Sequence, residues 1–463
     1  MRSLPLLGIL LAASACTVGP DHVRPVRNVA PEWVEPGTPG PVDARWWEQF
    51  GDAQLTALVE RALKDSPDLA EATARLAEAR ADRDAAAGGR LPSIDAAGSA
   101  TRNRLSENEQ LPVGQIPGIE RNFSLFDLGF DASWEIDLWG RRTRQVEATE
   151  ARAAAALAGR QDAMVALIAE IARNYTDLRL AQADAGSLTA MAGADAETAR
   201  LTSLRFAAGE ASRLEHETAE AAARASAAAV PEARARAAAA TYRIATLVGA
   251  APEEVASELS ASRPLPESPD TILTGLRSEL LERRPDVRRA ERELAAATAD
   301  VGVATADLFP RFSLLGGIGQ QARSAGDLAS GGSTRFQIGP SFSWPIFSGG
   351  TIRAQIRAAD ARADAAAARY EKAVIGALAD SETAINRFLN ARASTFDADG
   401  ALANERRAYA LAEARERRGE DDRLALMRAK KALIAAEKRA SDTAATELQA
   451  AIALFKALGG GWS

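Results

Sequence analysis

The second half of the chain restates the first, and the point where the two copies fall out of step limits what it can fold into. Asp65-Ser66-Pro67-Asp68-Leu69 opens a stretch rich in Ala, Arg and Glu that ends at Leu91-Pro92. Arg283-Arg284-Pro285-Asp286-Val287 opens another, ending at Phe309-Pro310. Both prolines recur at an offset of 218 (285 − 67 and 310 − 92). Further on, the segment from Trp134 to Gly140 aligns with that from Trp344 to Gly350, Gly209 with Gly419, and Gly249 with Gly459, all at an offset of 210 (344 − 134). The repeat changes length in one connection only, which marks that connection as a surface loop. A repeated unit of this size is too large for a solenoid module, so the chain is two similar halves of one fold.

Composition narrows the class. Aromatics are 5% of 463 residues and Ala dominates long tracts, which argues for long helices packed through small side chains rather than a thick globular core. The net charge of −7 comes from interspersed acids and bases, a solvated surface that gives no support to nucleic-acid binding. No run approaches the ~18 apolar residues of a membrane-spanning helix. If the chain crosses a bilayer, it does so with strands.

At the N-terminus, Met1-Arg2 precedes an apolar run from Leu4 to Ala13 and then Ser14-Ala15-Cys16. A basic residue, a short apolar segment and small residues before a cut describe a secretory signal, here residues 1–15. The single Cys directly after that cut looks like the acylated residue of a lipoprotein, and two acyl-chain signals are what stable anchoring needs. An ordinary signal peptide that happens to contain Cys gives the same pattern. Residues 16–52, rich in Pro, Gly and Val, read as an extended N-terminal arm.

Long helices follow, at about 140–208 and 210–248 in a first repeat (53–262) and at about 350–418 and 420–458 in a second (263–463). Met164, Ile168, Ile171, Tyr175 and Leu178 step by four and three, as do Val374, Leu378, Ser381, Ile385 and Phe388. Met427, Ile434, Ser441, Leu448 and Phe455 recur every seven. Such spacing implies supercoiled helices packed knobs into holes. At ~1.5 Å per residue, nearly 70 residues span on the order of 100 Å, longer than any compact domain.

Four segments alternate at period two: about 93–102, 123–135, 311–321 and 335–347. Phe126, Leu128, Phe130 and Trp134 stand against Asp127, Gly129, Asp131 and Ser133, and Phe336, Ile338, Phe342 and Trp344 against Gln337, Gly339, Ser341 and Ser343. Alternation over about ten residues marks a two-faced strand, and strands of ~9–11 residues with one apolar face suit a membrane barrel with a wet lumen. Four strands cannot close such a barrel, and open sheet edges cannot face lipid. Either other copies complete the barrel or the strands form a small soluble sheet resting on the helices.

Taken in order, these motifs resemble the outer-membrane factor family, the TolC-like channels, and within it the lipoprotein branch of tripartite efflux systems. The matching residues are Cys16-Thr17-Val18-Gly19-Pro20-Asp21-His22-Val23-Arg24-Pro25, with His22 where that branch has Tyr; Trp46-Trp47-Glu48-Gln49-Phe50-Gly51-Asp52; Asp65-Ser66-Pro67-Asp68-Leu69; Trp134 to Arg141; Arg205 to Gly209; and Phe309-Pro310. The resemblance covers essentially the whole mature chain. It implies a homotrimer, anchored in the outer membrane. Twelve strands, four per protomer, would form one transmembrane β-barrel, and coiled-coil helices a periplasmic α-barrel. A periplasmic adaptor protein and an inner-membrane transporter of the RND type would complete the pump, exporting drugs, solvents or similar molecules. The same channel could serve metal-ion export or type I protein secretion. From another class, a lipid-anchored periplasmic coiled-coil scaffold would account for the helices but not for the strand alternation.

Candidate functional residues follow. Gly209 and Gly419 read as helix–helix turns, a position where glycine relieves the backbone. Around them, Arg205, Ser212 and Leu214 in one half and Arg415, Asp422 and Leu424 in the other become adaptor-docking tips under the resemblance. Asp421 and Asp422 replace Ala211 and Ser212 of the first half. Repeated threefold near an opening, acids can bind or select cations, so they form a candidate periplasmic gate with Arg415 and Arg418. Asp127 and Asp131, on a polar strand face, would line the lumen. For catalysis there is little: His22 and His216 are the only histidines, no Ser lies in a nucleophile-elbow pattern, and no cluster has metal-ligand spacing. No cofactor, metal site or enzymatic activity is expected.

Overall fold

The computed structural model describes residues 17–25, 29–106 and 120–462; the proposed acylation site, Cys16, lies outside them. Two compact units emerge. One comprises the arm as far as Pro25 with Ala77–Ala155 and Ala290–Tyr370; the other runs to Leu76 and resumes in Ala156–Arg289 and Glu371–Ser463.

The first unit holds the sheet. Strands β1 (Ser93–Arg104), β2 (Asn122–Ile136), β3 (Arg311–Ala322) and β4 (Thr334–Ser343) lie side by side in chain order, every neighbouring pair antiparallel. Their register follows the sequence repeat. Ser93 faces Ser133; moved on by 218 and 210 these become Arg311 and Ser343, which face each other in the second hairpin. The tryptophans obey the same rule, since Trp134 Nε1 donates to the Arg90 carbonyl at 2.9 Å and Trp344 Nε1 to the Leu308 carbonyl at 3.1 Å. One expectation fails: the fourth strand was to reach 347, but pairing stops at Ser343. Pro345 has no N–H to continue a ladder.

The second unit is built of helices, of which α2 (Pro67–Gly88), α3 (Arg141–Ala207), α7 (Pro285–Ala306) and α8 (Thr351–Arg417) also have residues in the first. Helix α1 (Ala53–Asp65) starts where the Asp52 side chain accepts the N–H groups of Gln54 and Leu55, a standard N-cap. It ends at Ser66, and α2 (Pro67–Gly88) begins at the proline, because the residue before Pro is pushed out of helical geometry. The second half repeats this junction: α6 (Arg277–Arg283) stops at Arg284, and α7 (Pro285–Ala306) starts at the next residue. The long elements match in length. Both α3 (Arg141–Ala207) and α8 (Thr351–Arg417) have 67 residues, and each is followed by a returning helix, α4 (Arg213–Val248) and α9 (Arg423–Ala457). A short α5 (Pro252–Glu258) precedes the linker between the halves.

The heptad stripes are the buried ones. Ile168, Ile171, Tyr175 and Leu178, then Val374, Ser381, Ile385 and Phe388, then Met427, Ile434, Leu448 and Phe455 are all buried, whereas Met164, Leu378 and Ser441 are half-buried. The arm departs from the extended reading at its end, where Trp46–Phe50 coils into a 3-10 turn. Trp46 stacks on Phe455 at 5.0 Å and Phe50 meets Trp46 edge-on, so tertiary stacking between aromatics overrides the local absence of periodicity. Among the described residues no helix is long and apolar enough to cross a membrane.

Candidate functional site

The sheet has two chemically distinct faces. On one, Phe130 is 58% exposed, Phe336 78%, Ile338 75% and Phe342 69%. Large apolar side chains left bare in a row have lost the hydrophobic contribution of burial, on the order of 2 kcal/mol each, and such a patch marks an interaction surface. Trp134 and Trp344, at the foot of β2 and just past β4, are exposed as well, and aromatic residues at strand ends are a feature of membrane barrels.

The other face carries Asp127, Asp131, Gln321 and Arg335. The Asp127 carboxylate accepts two hydrogen bonds from the Arg335 guanidinium, at 2.7 and 2.9 Å, and a third from Gln321 at 2.8 Å. Asp127 and Arg335 belong to strands separated by β3, and the residue of β3 opposite Arg335 is Gly319. Gly319 also faces Gly129, so closely that a Cβ added to either would stand 2.9 Å from the other's Cα. Glycine thus keeps the polar face thin and lets Arg335 reach across. Asp131 lies on this face opposite Gly317 of β3. Arg335 is a residue the strand pattern alone did not single out; its signal was a cation at the polar phase of β4.

Among the described residues both outer edges of the sheet are open: β1 pairs with β2 alone, and β4 with β3 alone. Unpaired backbone along strands of this length must find a partner.

The two helical turns share one backbone and differ in charge. Gly209 and Gly419 adopt φ of 77° and 72°. In the first turn the Gly209 N–H donates to the Phe206 carbonyl and the Glu210 N–H to that of Arg205; in the second, Gly419 donates to Glu416 and Glu420 to Arg415. Both are Schellman endings, with glycine at the left-handed position. After the first, Ser212 caps α4 in a capping box with Glu215, leaving Leu214 76% exposed. After the second, Asp422 caps α9 through the Ala425 N–H at 2.7 Å, and Leu424 is half-buried. The Arg415 guanidinium donates to Asp421 at 2.6 Å and holds that carboxyl below the usual carboxylate range. The expected cluster is therefore partial. Arg418 turns to Glu420 at 3.1 Å, not to either aspartate, and Arg205 donates to the Glu210 carbonyl at 3.5 Å while the Glu210 carboxylate stands 4.0 Å away. Asp422 is engaged at the helix start, where an acid offsets the N-terminal dipole.

A further polar seam joins the halves. Along α3, Asp177, Asp184 and Asp195 receive Gln449, Lys438 and Lys431 of α9 at 2.6, 2.7 and 3.0 Å. Asp184, whose side chain is 9% exposed, also accepts from Arg236 of α4 at 3.2 Å, so one buried carboxylate ties three helices. Burial works against the Lys438 ammonium, but its hydrogen bonds to Asp184 and Asp442 outweigh that and hold its pKa above the ordinary lysine value. Seven-residue spacing of both the acids (Asp177, Asp184) and the lysines (Lys431, Lys438) was the available sequence signal.

A chain whose strands expose an apolar face and open edges, and then continue into helical hairpins on the order of 100 Å long, is one protomer of an oligomeric outer-membrane channel. Comparison agrees. The outer membrane efflux protein family matches residues 58–250 and 276–460, and the chain belongs to that family. It is 31% identical over its full length to the pyoverdine export outer membrane protein OpmQ of Pseudomonas aeruginosa, covering 97% of that protein. It is 29% identical to the toluene efflux pump outer membrane protein TtgI of Pseudomonas putida, covering 98%. The solved outer-membrane channel OprN superposes on 96% of the chain with a TM-score of 0.85 at 38% identity, all of that structure being covered. The fold is that of the trimeric channels of this family, a helical tunnel with a β domain to which each chain supplies four strands, and the protein is an outer-membrane component of an efflux system.

Proposed function

We propose that three copies form a passive conduit that takes amphiphilic small molecules from an RND-type inner-membrane transporter and its periplasmic adaptor and releases them outside the cell. The observation that carries this reading is the sheet, with its apolar face exposed and both edges open. Twelve strands from three chains make an even-numbered barrel wide enough for a wet lumen, and lipid then covers the apolar face. Asp127 and Asp131 would line that lumen, where Asp127 meets the passing solute as an ion pair with Arg335 rather than as a free acid. OpmQ is named for pyoverdine and TtgI for toluene, which supports small organic cargo. Selection would rest with the transporter, and the channel itself would catalyse no reaction.

The tips around Gly209 and Gly419 would dock the adaptor, with Arg205, Ser212 and Leu214 on one and Arg415, Asp422 and Leu424 on the other. Leu214, bare at the first tip, offers the apolar anchor that such contacts use. Asp421 and Asp422, with Arg415 and Arg418, would form the periplasmic gate, opening when adaptor contacts bias the second hairpin. Acyl chains on Cys16 would enter the inner leaflet of the outer membrane. In support, the Val18 N–H donates to the Trp139 carbonyl at 3.1 Å, three residues past the end of β2, and Arg144 donates to Asp21 at 2.6 Å, pinning the arm beside the foot of that strand.

The test is mild crosslinking in native cells, followed by affinity purification and mass spectrometry. Recovery of an adaptor with a proton-driven transporter is expected. An ATP-driven exporter in its place would move the reading to protein secretion, and recovery of the chain alone would contradict it.

A further inference from the structure

The apolar face of the sheet carries two charges, and both sit at one end. Every register pair joins residues of the same parity, Ser93 with Ser133, Phe126 with Ala322 and Arg311 with Ser343, so even-numbered residues share the apolar face. The acids of the strands, Asp95, Asp127, Asp131 and Glu135, take the other face, as do Arg311 and Arg335. Among the described strand residues, the charged side chains of the apolar face are Arg102 and Arg104, near the hairpin end of β1, and both are exposed. We propose that this pair binds a phosphate of the phosphorylated glycolipid in the outer leaflet, on the outer wall of the barrel. The inference rests on the membrane-barrel reading and adds to it a lipid site.

Height comes first. The feet of the strands join the helices, so the hairpin end points away from the periplasm. Ser93 starts β1 opposite Ser133, beside Trp134 at the foot, and Arg102 stands nine residues further on (102 − 93). At ~3.3 Å per residue and a tilt of ~40°, Arg102 rises about 23 Å above the foot and Arg104 about 28 Å. An apolar band ~25 Å tall ends between them, so both guanidinium groups reach the headgroup layer. The repeat then shows that the sheet does not need the charges. Moved on by 218, Arg102 becomes Gln320 and Arg104 becomes Ala322. Arg102 donates to Ser124 Oγ at 3.1 Å, and Gln320 Nε2 donates to Thr334 Oγ1, also at 3.1 Å. A neutral amide thus makes the same bond across the hairpin, and the cations of the first half are spare. Two guanidinium forks about 7 Å apart on one strand can grip one phosphate from both sides, with the Asn122 amide opposite Arg104. Further toward the foot, Leu128 is 60% exposed and Phe130 58%, a wall for acyl chains. Cations at headgroup height above an apolar wall match an anionic amphiphile rather than a free anion.

The second hairpin supplies the test variant. Arg102→Gln/Arg104→Ala gives the first hairpin the side chains of the second and keeps its bond to Ser124. Full-length protein, delipidated as trimers in mild detergent, is titrated with diphosphoryl lipid A, dephosphorylated lipid A and inorganic phosphate, and native mass spectrometry counts what stays bound. The unsubstituted trimer is expected to retain up to three diphosphoryl lipid A molecules, one per copy, and the double variant to bind them at least tenfold more weakly. Arg323→Gln removes a cation at the same end that lies over Phe123, a residue of the other phase, and should leave binding unchanged. Equal affinity in the double variant, equal loss in Arg323→Gln, or equal binding of the dephosphorylated lipid would overturn the site. Displacement of the lipid by inorganic phosphate at equal concentration would make it a free-anion site and overturn the glycolipid. If the double variant does not assemble, Arg104→Ala alone, which keeps the Arg102 bond, is expected to weaken binding severalfold, and unchanged affinity there would also overturn the site. Absence of trimers in the unsubstituted protein would instead remove the barrel reading beneath it.

Discussion

Helices α3 and α8 have the same length and sit 210 residues apart, yet their flanks have opposite character. On α3, Asp177, Asp184 and Asp195 grip α9. The same places on α8 hold Arg387, Ser394 and Glu405. Their counterparts of Lys431 and Lys438 on α4 are Ala221 and Ala228. A second divergence lies nearby. Tyr175 donates to Asp52 at 2.7 Å, and Arg179, fully buried, donates to the Ala261 carbonyl at 2.9 Å and to Gln54, while lying over the Tyr175 ring. The equivalent residues on α8 are Ile385 and Leu389. Duplication has kept the backbone and changed the glue: α3 is latched to α9 by its own carboxylates, whereas the polar contacts of α8 lie elsewhere, Asp380 with Arg284, Glu382 with Arg277 and Arg392 with Asp270. A latch of this kind specifies which helix is the neighbour as well as adding stability.

That contrast can be broken most sharply at Asp184. Asp184→Ala leaves Lys438 and Arg236 without their shared acid. The expected loss is about 2 kcal/mol, less than for a fully buried pair because both cations keep some water. Ser394→Ala, at the matching place on α8, should change stability by less than about 0.5 kcal/mol. Thermal unfolding of the two variants in the same detergent measures the difference, and equal losses would erase the distinction between the halves.

The Tyr175 clamp comes next. Tyr175→Phe removes the hydrogen bond to Asp52 and should cost about 1 kcal/mol. Its effect also has a pH signature. Burial, with the hydrogen bond to Asp52, pushes the Tyr175 phenol up to about 12. A group whose folded pKa is raised contributes stability below its unfolded value, near 10, and loses it as pH climbs toward 12. Lys438, also raised, acts in the same sense above the ordinary lysine value. Alkaline unfolding should thus steepen from about pH 10, and Tyr175→Phe should flatten part of that limb; an unchanged limb would place the latch elsewhere.

The two turns should respond alike. Gly209→Ala and Gly419→Ala each force Cβ into the left-handed region, at about 1 kcal/mol, and a large difference between their melting temperatures would show that the backbones are not equivalent in solution. The smallest effect is electrostatic. Arg415→Ala removes the main group that holds the Asp421 carboxyl low, so its pKa rises toward the ordinary carboxylate range. Because the natural pKa is held low, the negative charge persists to a lower pH in the unsubstituted protein and is lost at a higher one in the variant. The acid midpoint of cation selectivity in planar bilayers reads this shift, and an unmoved midpoint would take Asp421 out of the conducting path.

Much of this architecture was legible in the residues. The paired Pro and Gly positions announced the duplication, period-two alternation the strand faces, and heptads the buried stripes, since each is a local pattern with one geometric solution. What stayed hidden depends on which element lies beside which. Trp46 coils the arm because it finds Phe455, some four hundred residues away. Asp127 is paired because the register of two hairpins brings Arg335 across a glycine. Arg418 turns to Glu420 because the Schellman ending folds that residue back, leaving only Arg415 for Asp421. The seam between α3 and α9 needed the knowledge that these two helices touch.

The central claim is that this duplicated chain is a third of a closed barrel. Native mass spectrometry of the protein extracted from outer membranes in mild detergent tests it most directly. The account predicts a single dominant species of three chains. A dominant monomer or dimer, with the open strand edges of β1 and β4 still accessible to hydrogen exchange, would contradict it.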